Sequence, residues 1–192
     1  GMVGECGRRG GFFVLNNMDA EVEAQINKVV SMSLCPPTQG QIGVDLLVRP
    51  PQPDEPSYEL WRHQIDTIYH TLQSRSQLIA DSLNRLPGIF AEPAMGALYV
   101  LPRVHLPKSV SDRARQLGKK VDELYCLELL DETGICVVPG SGFSYEPEVL
   151  GDGSTYSCFR ITVLAKETQA MVDRFTRFHR AFLDKYPWEP GT

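Results

Sequence analysis

Basic charge is in short supply in this chain: 19 lysines and arginines stand against 24 aspartates and glutamates, for a net charge of −5. A general nucleic-acid binder carries a basic excess, so that class is set aside. Histidine is scarce as well. The four histidines, at 63, 70, 105 and 179, are scattered, and none stands at ligand spacing from a cysteine, so no zinc site is expected. His63 and His70 lie seven apart on a helical pattern, which reads as packing rather than metal binding. No apolar run approaches the roughly 20 residues of a membrane span, and no apolar signal core opens the chain. The five cysteines are odd in number, irregular in spacing and without a Cys-x-x-Cys. They read as small apolar side chains in a reducing compartment. A cytoplasmic location is expected, with a mitochondrial one compatible with the same sequence.

What is present is ordinary globular material: 192 residues, 42% hydrophobic and 22% charged, enough for one substantial core and part of another. The stretch Gly4–Gly11 packs four glycines and the pair Arg8-Arg9 ahead of the apolar Phe12-Phe13-Val14-Leu15. Glycine permits close backbone approach and positive φ. Arginine offers a permanent charge and a fork of donors. Together they make a candidate anion site, although such turns are also common on surfaces.

Residues 10–16 read as a short strand. Asp19 caps an expected helix from Ala20 to about Leu34, which Cys35-Pro36-Pro37 stops. A shorter helix is expected over 39–48, then a proline-rich connector from Arg49 to Pro56. Trp61, Ile65, Ile68, Leu72, Ile79, Leu83 and Leu86 recur at helical spacing and predict one long helix from Tyr58 to Leu86. Beyond Pro87-Gly88 strands are expected at 89–92 and 97–101, joined by a turn over Pro93–Gly96 and the second ended by Pro102, and at 135–138 and 158–163. A helix is expected over 111–130, where Ala114, Leu117, Val121, Leu124, Leu127 and Leu130 recur at helical spacing, and another over 166–185, burying Met171, Phe175, Phe178 and Phe182. Residues 144–155 read as an exposed polar loop. The organisation expected is a large-domain remnant over 1–52, a linking helix over 53–86 and a small α/β domain over 87–192. The first part carries a single strand, which cannot form a sheet alone; it therefore reads as the end of a larger domain.

Three places could carry chemistry. Strand alternation in Cys158–Val163 puts Phe159, Ile161 and Val163 on one face and Arg160 and Thr162 on the other. A buried Arg160 would require an anion, most naturally a carboxylate; the alternative is a solvated outer face. The loop Pro139-Gly140-Ser141-Gly142-Phe143 follows a strand, where ligand loops of α/β folds emerge, yet an ordinary tight turn would have the same composition. Its residue order does not make Ser141 a nucleophile elbow. Cys6 stands beside Arg8 and Arg9, which could lower its thiol pKa, but no histidine is near it in sequence.

Five stretches, in order, resemble the alanine aminotransferases among the class I aminotransferases. They are Gly4–Gly11 with the following Phe-Phe and Asn-Met, Leu34-Cys35-Pro36 with Gly40-Gln41, Gly96–Tyr99, Val137–Phe143 and Phe159–Thr162. The resemblance covers essentially the whole chain. It implies an α/β fold, the C-terminal part of a fold type I pyridoxal-phosphate-dependent transferase, mainly the small domain plus the end of the large one. It implies pyridoxal 5'-phosphate as cofactor, small amino acids and 2-oxo acids as substrates, a homodimer, and no nucleic-acid, membrane or metal partner. The implied reaction is L-alanine plus 2-oxoglutarate to pyruvate plus L-glutamate.

Residue by residue, Arg9 resembles the arginine that pairs with the cofactor phosphate, and Arg160 the one that grips the substrate α-carboxylate. The loop Gly140–Phe143 resembles the one that closes over the site. Leu34–Gly40 resembles the stretch that reaches the neighbouring subunit's cofactor. Aspartate-specific relatives carry an arginine near Val30, and the absence of a cation from Val29 to Leu34 leans toward a small neutral substrate side chain. The family's Schiff-base lysine would fall immediately before Gly1. None of Lys28, Lys108, Lys119, Lys120, Lys166 or Lys185 stands in that motif context, so the chain alone is expected to be inactive and not to hold the cofactor covalently. The alternatives are another class I specificity and a non-catalytic binding or assembly module of the same fold.

Overall fold

In the computed structural model, residues 7–188 are described. The chain divides into two compact units, residues 1–67 and 68–192.

The first unit is helical. Helix α1 spans Ala20–Ser31, with the Asp19 carboxylate accepting from the Glu21 N–H at 2.8 Å as its N-cap. Helix α2 spans Thr38–Val48 and begins directly after Pro36-Pro37. The expected strand over 10–16 does not form; that segment carries no regular secondary structure, and Phe12, Phe13 and Val14 are exposed. Among the described residues no neighbouring strand pairs with it, and a lone strand has no stability of its own. Helix α1 buries none of its residues, so the spacing of Val22, Val29 and Val30 forms an apolar stripe that stands exposed.

Helix α3 covers Tyr58–Leu83, close to the expected range. Its last part, with Ile79, Ala80 and Leu83 at or near zero exposure, lies in the second unit. There the short strands β1 (Ile89–Phe90), β2 (Tyr99–Val100), β3 (Arg103–Leu106), β4 (Val138–Pro139) and β5 (Glu148–Val149) are organised by one long strand, β6 (Thr155–Thr162). Strands β2, β3, β4 and β5 all pair antiparallel with β6, and β1 pairs with β3. The expected turn between the strands at 89–92 and 97–101 therefore does not make them neighbours. Strand β2 ends before Pro102, as expected, and β3 begins just after it; both keep a single register against β6, and the Pro102 carbonyl accepts from the Phe159 N–H. A proline in an edge line costs no ladder bond where its missing N–H would face outward.

The helix expected over 111–130 is two helices, α4 (Lys108–Gln116) and α5 (Val121–Thr133). Leu117-Gly118 breaks it, with Gly118 at φ 64° in the left-handed region that glycine adopts freely. The break resets the phase. Ala114 and Leu124 of the expected stripe are buried, but Leu117 and Leu130 are exposed, and Asp122, Tyr125, Cys126 and Leu129 also face the core. Helix α6 (Thr168–Lys185) buries the four residues expected of it, Met171, Phe175, Phe178 and Phe182.

Between α5 and α6 lies a dry polar pair. The Tyr125 hydroxyl is 2.8 Å from His179 Nδ1, and His179 Nε2 is 2.8 Å from the Pro87 carbonyl. The carbonyl can only accept, so Nε2 carries the proton and Nδ1 accepts from tyrosine. Burial lowers the His179 pKa, with the bond to Pro87 opposing that effect in part. The unfolded chain then binds the extra proton first. Stability from this group is complete above the ordinary histidine pKa and is lost as pH falls from there toward the lowered folded value. Thermal midpoints measured from pH 7.5 downward should show that decline, and His179→Gln should flatten it. An unchanged slope in the variant would refute the assignment.

Candidate active site

Strand β6 decides where Arg160 goes. Phe159, Ile161 and Val163 are buried in the core, and Arg160 and Thr162 turn to the other face, half-buried. Tyr99 pairs with Thr162 across β2 and β6, so it is a diagonal neighbour of Arg160 on the same face. Its ring lies under the guanidinium, with Cζ 4.4 Å from the centroid. On the other side of β6, Val138 is opposite Arg160. The chain then turns through a single 3₁₀ turn, Gly140–Phe143, and brings the Phe143 ring to 5.9 Å from Arg160 Cζ. Two aromatic faces thus hold one cation within cation–π range.

The guanidinium is incompletely satisfied. Arg160 Nε is buried and makes no hydrogen bond, and among the described residues no carboxylate pairs with it. A buried donor left unpaired costs about 1–3 kcal/mol, more when it is charged. A carboxylate with two parallel acceptors is the group that satisfies such a fork.

The 3₁₀ turn is pinned from two directions. A Cβ on Gly140 would sit 2.7 Å from Cys158 Sγ and 2.9 Å from the Cys158 carbonyl, so only glycine lets the turn lie on β6. From α5, Asp122 accepts the Ser141 N–H through Oδ2 at 2.7 Å. Burial and then the Asp122 charge push the Cys158 thiol up to about 11, and the same two causes, with Cys136 and Cys158 added, raise Cys126 further. Neither is a thiolate near neutral pH, so neither is a nucleophile. Cys6 lies outside the described residues.

Arg9 belongs to the first unit, Arg160 to the second. Arg9 holds φ 52°, a left-handed backbone that a side-chain-bearing residue keeps only where its surroundings impose it. Those surroundings are in α2. A Cβ on Gly40, the one buried residue of that helix, would meet the Arg8 and Arg9 carbonyl oxygens at 2.8 Å each. The backbone of the arginine turn therefore rests directly on α2. The two arginines differ: Arg8 lays its stem along Gly43, with Cδ 3.2 Å from where a Cβ would stand. The turn offers the exposed Arg9 guanidinium on a braced backbone. That suits the phosphate of a pyridoxal phosphate; separately, in the second unit, the unsatisfied fork of Arg160 suits a carboxylate.

Among the described residues no three His, Cys, Asp or Glu side chains come together to hold a metal ion, and no helix is long and apolar enough to cross a membrane. Sequence reasoning found Arg160 and the turn. It missed Tyr99 as the stacking partner, and it missed Asp122, whose only sequence signal is a carboxylate three and four residues ahead of the buried Tyr125 and Cys126.

A family model described as aminotransferase class I and II matches residues 2–178, and the chain belongs to that family. The relatives narrow this. The chain is 43% identical over 188 residues to a probable mitochondrial alanine aminotransferase of Dictyostelium discoideum, covering 97% of this chain and 34% of that protein. It is 41% identical over 188 residues to alanine aminotransferase 1 of Homo sapiens, covering 97% and 36%. It spans about a third of the length of these curated relatives. In fold it resembles an alanine aminotransferase from Pyrococcus furiosus, with TM-score 0.55 at 22% identity over 84% of this chain and 35% of the other. An aminotransferase from Escherichia coli gives TM-score 0.56 at 19% identity over 87% and 37%. The architecture is that of the fold type I aminotransferases, as the sequence resemblance implied.

Proposed function

We propose that this chain provides the substrate-carboxylate and cofactor-phosphate arginines of an alanine aminotransferase, which converts L-alanine and 2-oxoglutarate to pyruvate and L-glutamate. The observation that carries the reading is Arg160: a cation between Tyr99 and Phe143 with a buried, unsatisfied Nε. About 40% identity to alanine aminotransferases supports the choice of substrate.

Arg160 binds the α-carboxylate and fixes the orientation of the Cα–H bond. Tyr99 and Phe143 hold the guanidinium by cation–π contact and so orient it for the pairing. Arg9 takes the phosphate of pyridoxal 5'-phosphate. The cofactor, when bound, supplies the electron sink for the deprotonated substrate. With its carboxylate held by Arg160, the substrate has less rotational freedom left at the reacting carbon. The exposed face of α1 and the apolar Leu34 at the start of the Leu34–Gly40 stretch are consistent with a homodimer.

The 192-residue chain by itself is read as inactive. No lysine stands in the context of a Schiff-base lysine, and Lys108, Lys119, Lys120 and Lys185 are each engaged with a carboxylate. Incubated with pyridoxal phosphate, L-alanine and 2-oxoglutarate, it should release no pyruvate beyond a blank. The complete protein should release pyruvate, and should turn over L-alanine faster than L-aspartate or L-phenylalanine. Sustained turnover by the chain alone would refute the first expectation. A preference for aspartate or phenylalanine would refute the substrate while leaving the family untouched.

A further inference from the structure

We propose that Asp122 is a positioning residue for substrate: through Ser141 it sets the turn that carries Phe143 onto Arg160, and its loss weakens carboxylate binding. The inference rests on the reading of Arg160 as the carboxylate-binding arginine.

Asp122 is 1% exposed, in the first turn of α5. Only one of its oxygens is satisfied. Oδ2 accepts the Ser141 N–H at 2.7 Å, and Oδ1 is buried with no hydrogen bond. A buried carboxylate with an orphan oxygen is a liability for stability, because desolvation of that oxygen is uncompensated. Two features offset that cost in part. The N-terminus of α5 presents the positive end of its dipole, and the bond from Ser141 is charge-assisted.

That bond ends on the turn. From Ser141 the backbone runs through Gly142 to Phe143, whose ring is 5.9 Å from Arg160 Cζ. Ser144 holds φ 69°, and the Ser144 and Tyr145 N–H groups return to the Gly140 carbonyl. Gly140 itself lies on Cys158. The turn is thus held below by β6 and at one lateral point by Asp122. Removing the carboxylate leaves the floor and deletes the tie to α5. Phe143 is then free to leave Arg160, and the carboxylate site becomes wetter and less ordered.

The test is steady-state kinetics on the complete, pyridoxal-phosphate-loaded protein with L-alanine, comparing Asp122→Ala, Asp122→Asn and Arg160→Ala. Loss of one charge-assisted bond predicts a KM for alanine raised roughly tenfold in Asp122→Ala, with kcat changed less than about twofold. Asp122→Asn keeps an acceptor for the Ser141 N–H and should restore KM to within about threefold of the parent. Hydrogen exchange should quicken in the peptide covering 138–145 and not along α5. Should Asp122→Ala not fold, Asp122→Ser carries the same comparison, because serine is accepted in a first helical turn but is too short to reach Ser141. If Asp122→Ala leaves KM unchanged while Arg160→Ala raises it, the inference is overturned and the reading of Arg160 stands. If neither changes KM, the reading of Arg160 falls and takes the inference with it. Exchange quickened throughout α5, or no rescue by asparagine, assigns Asp122 to the fold alone and also overturns the proposal.

Discussion

Arg160→Ala in the complete, cofactor-loaded protein should lower kcat/KM for L-alanine by roughly 10²- to 10³-fold, the scale for losing one partner of a desolvated charge pair. Arg160→Lys should recover only a small part of that. Lysine restores the charge but neither the planar fork nor the stacking on Tyr99. The same substitution to alanine should not lower the thermal midpoint as a core truncation would. Arg160 Nε is a buried donor without an acceptor, so its removal relieves an uncompensated desolvation. Loss of activity at unchanged stability is the pattern of a group kept for its ligand. A fall in kcat/KM smaller than about fivefold would remove Arg160 from the carboxylate site.

Phe175→Ala should destabilise the second unit by about 3–5 kcal/mol, the cost of deleting a phenyl ring from a packed core. Phe175 is 1% exposed. Its ring lies 5.7 Å from Phe159, 6.5 Å from Tyr125, 6.4 Å from Phe178 and 6.4 Å from His179. The effect reaches function by a short path, because Phe159 precedes Arg160 on β6 and its packing keeps that strand in place. Urea unfolding followed by circular dichroism reads the loss directly; a change below about 1 kcal/mol would show that the cavity collapses or that the ring carries little of the core.

The legible parts of the fold are those where local pattern and final environment agree. Helix α6 buries Met171, Phe175, Phe178 and Phe182 as their spacing required. The β6 alternation put Phe159 and Ile161 inward and Arg160 outward. Helix α3 matched its long periodic run to within a few residues. Where local pattern was ambiguous, the reading slipped. A leucine repeat carried across Gly118 predicted one helix with Leu117 and Leu130 inside; the left-handed glycine split it, and α5 turned Asp122, Tyr125, Cys126 and Leu129 inward instead. Residues 10–16 have strand composition but lack a partner, and composition cannot supply one.

The sequence by itself determined the family, the helices with uninterrupted periodicity, and the two arginines with their places in the motifs. These are local properties, set by residue type and spacing over a few turns of chain. Tertiary structure alone decided that β6 is the hub of the sheet, with β2 and β4 laid against it so that Tyr99 and Phe143 meet Arg160. It alone placed a half-satisfied carboxylate, Asp122, behind the turn that carries Phe143. Tyr99, Asp122, Phe143 and Arg160 are separated by tens of residues in the chain. Strand register and helix phase bring them together, and both depend on which faces the whole core buries.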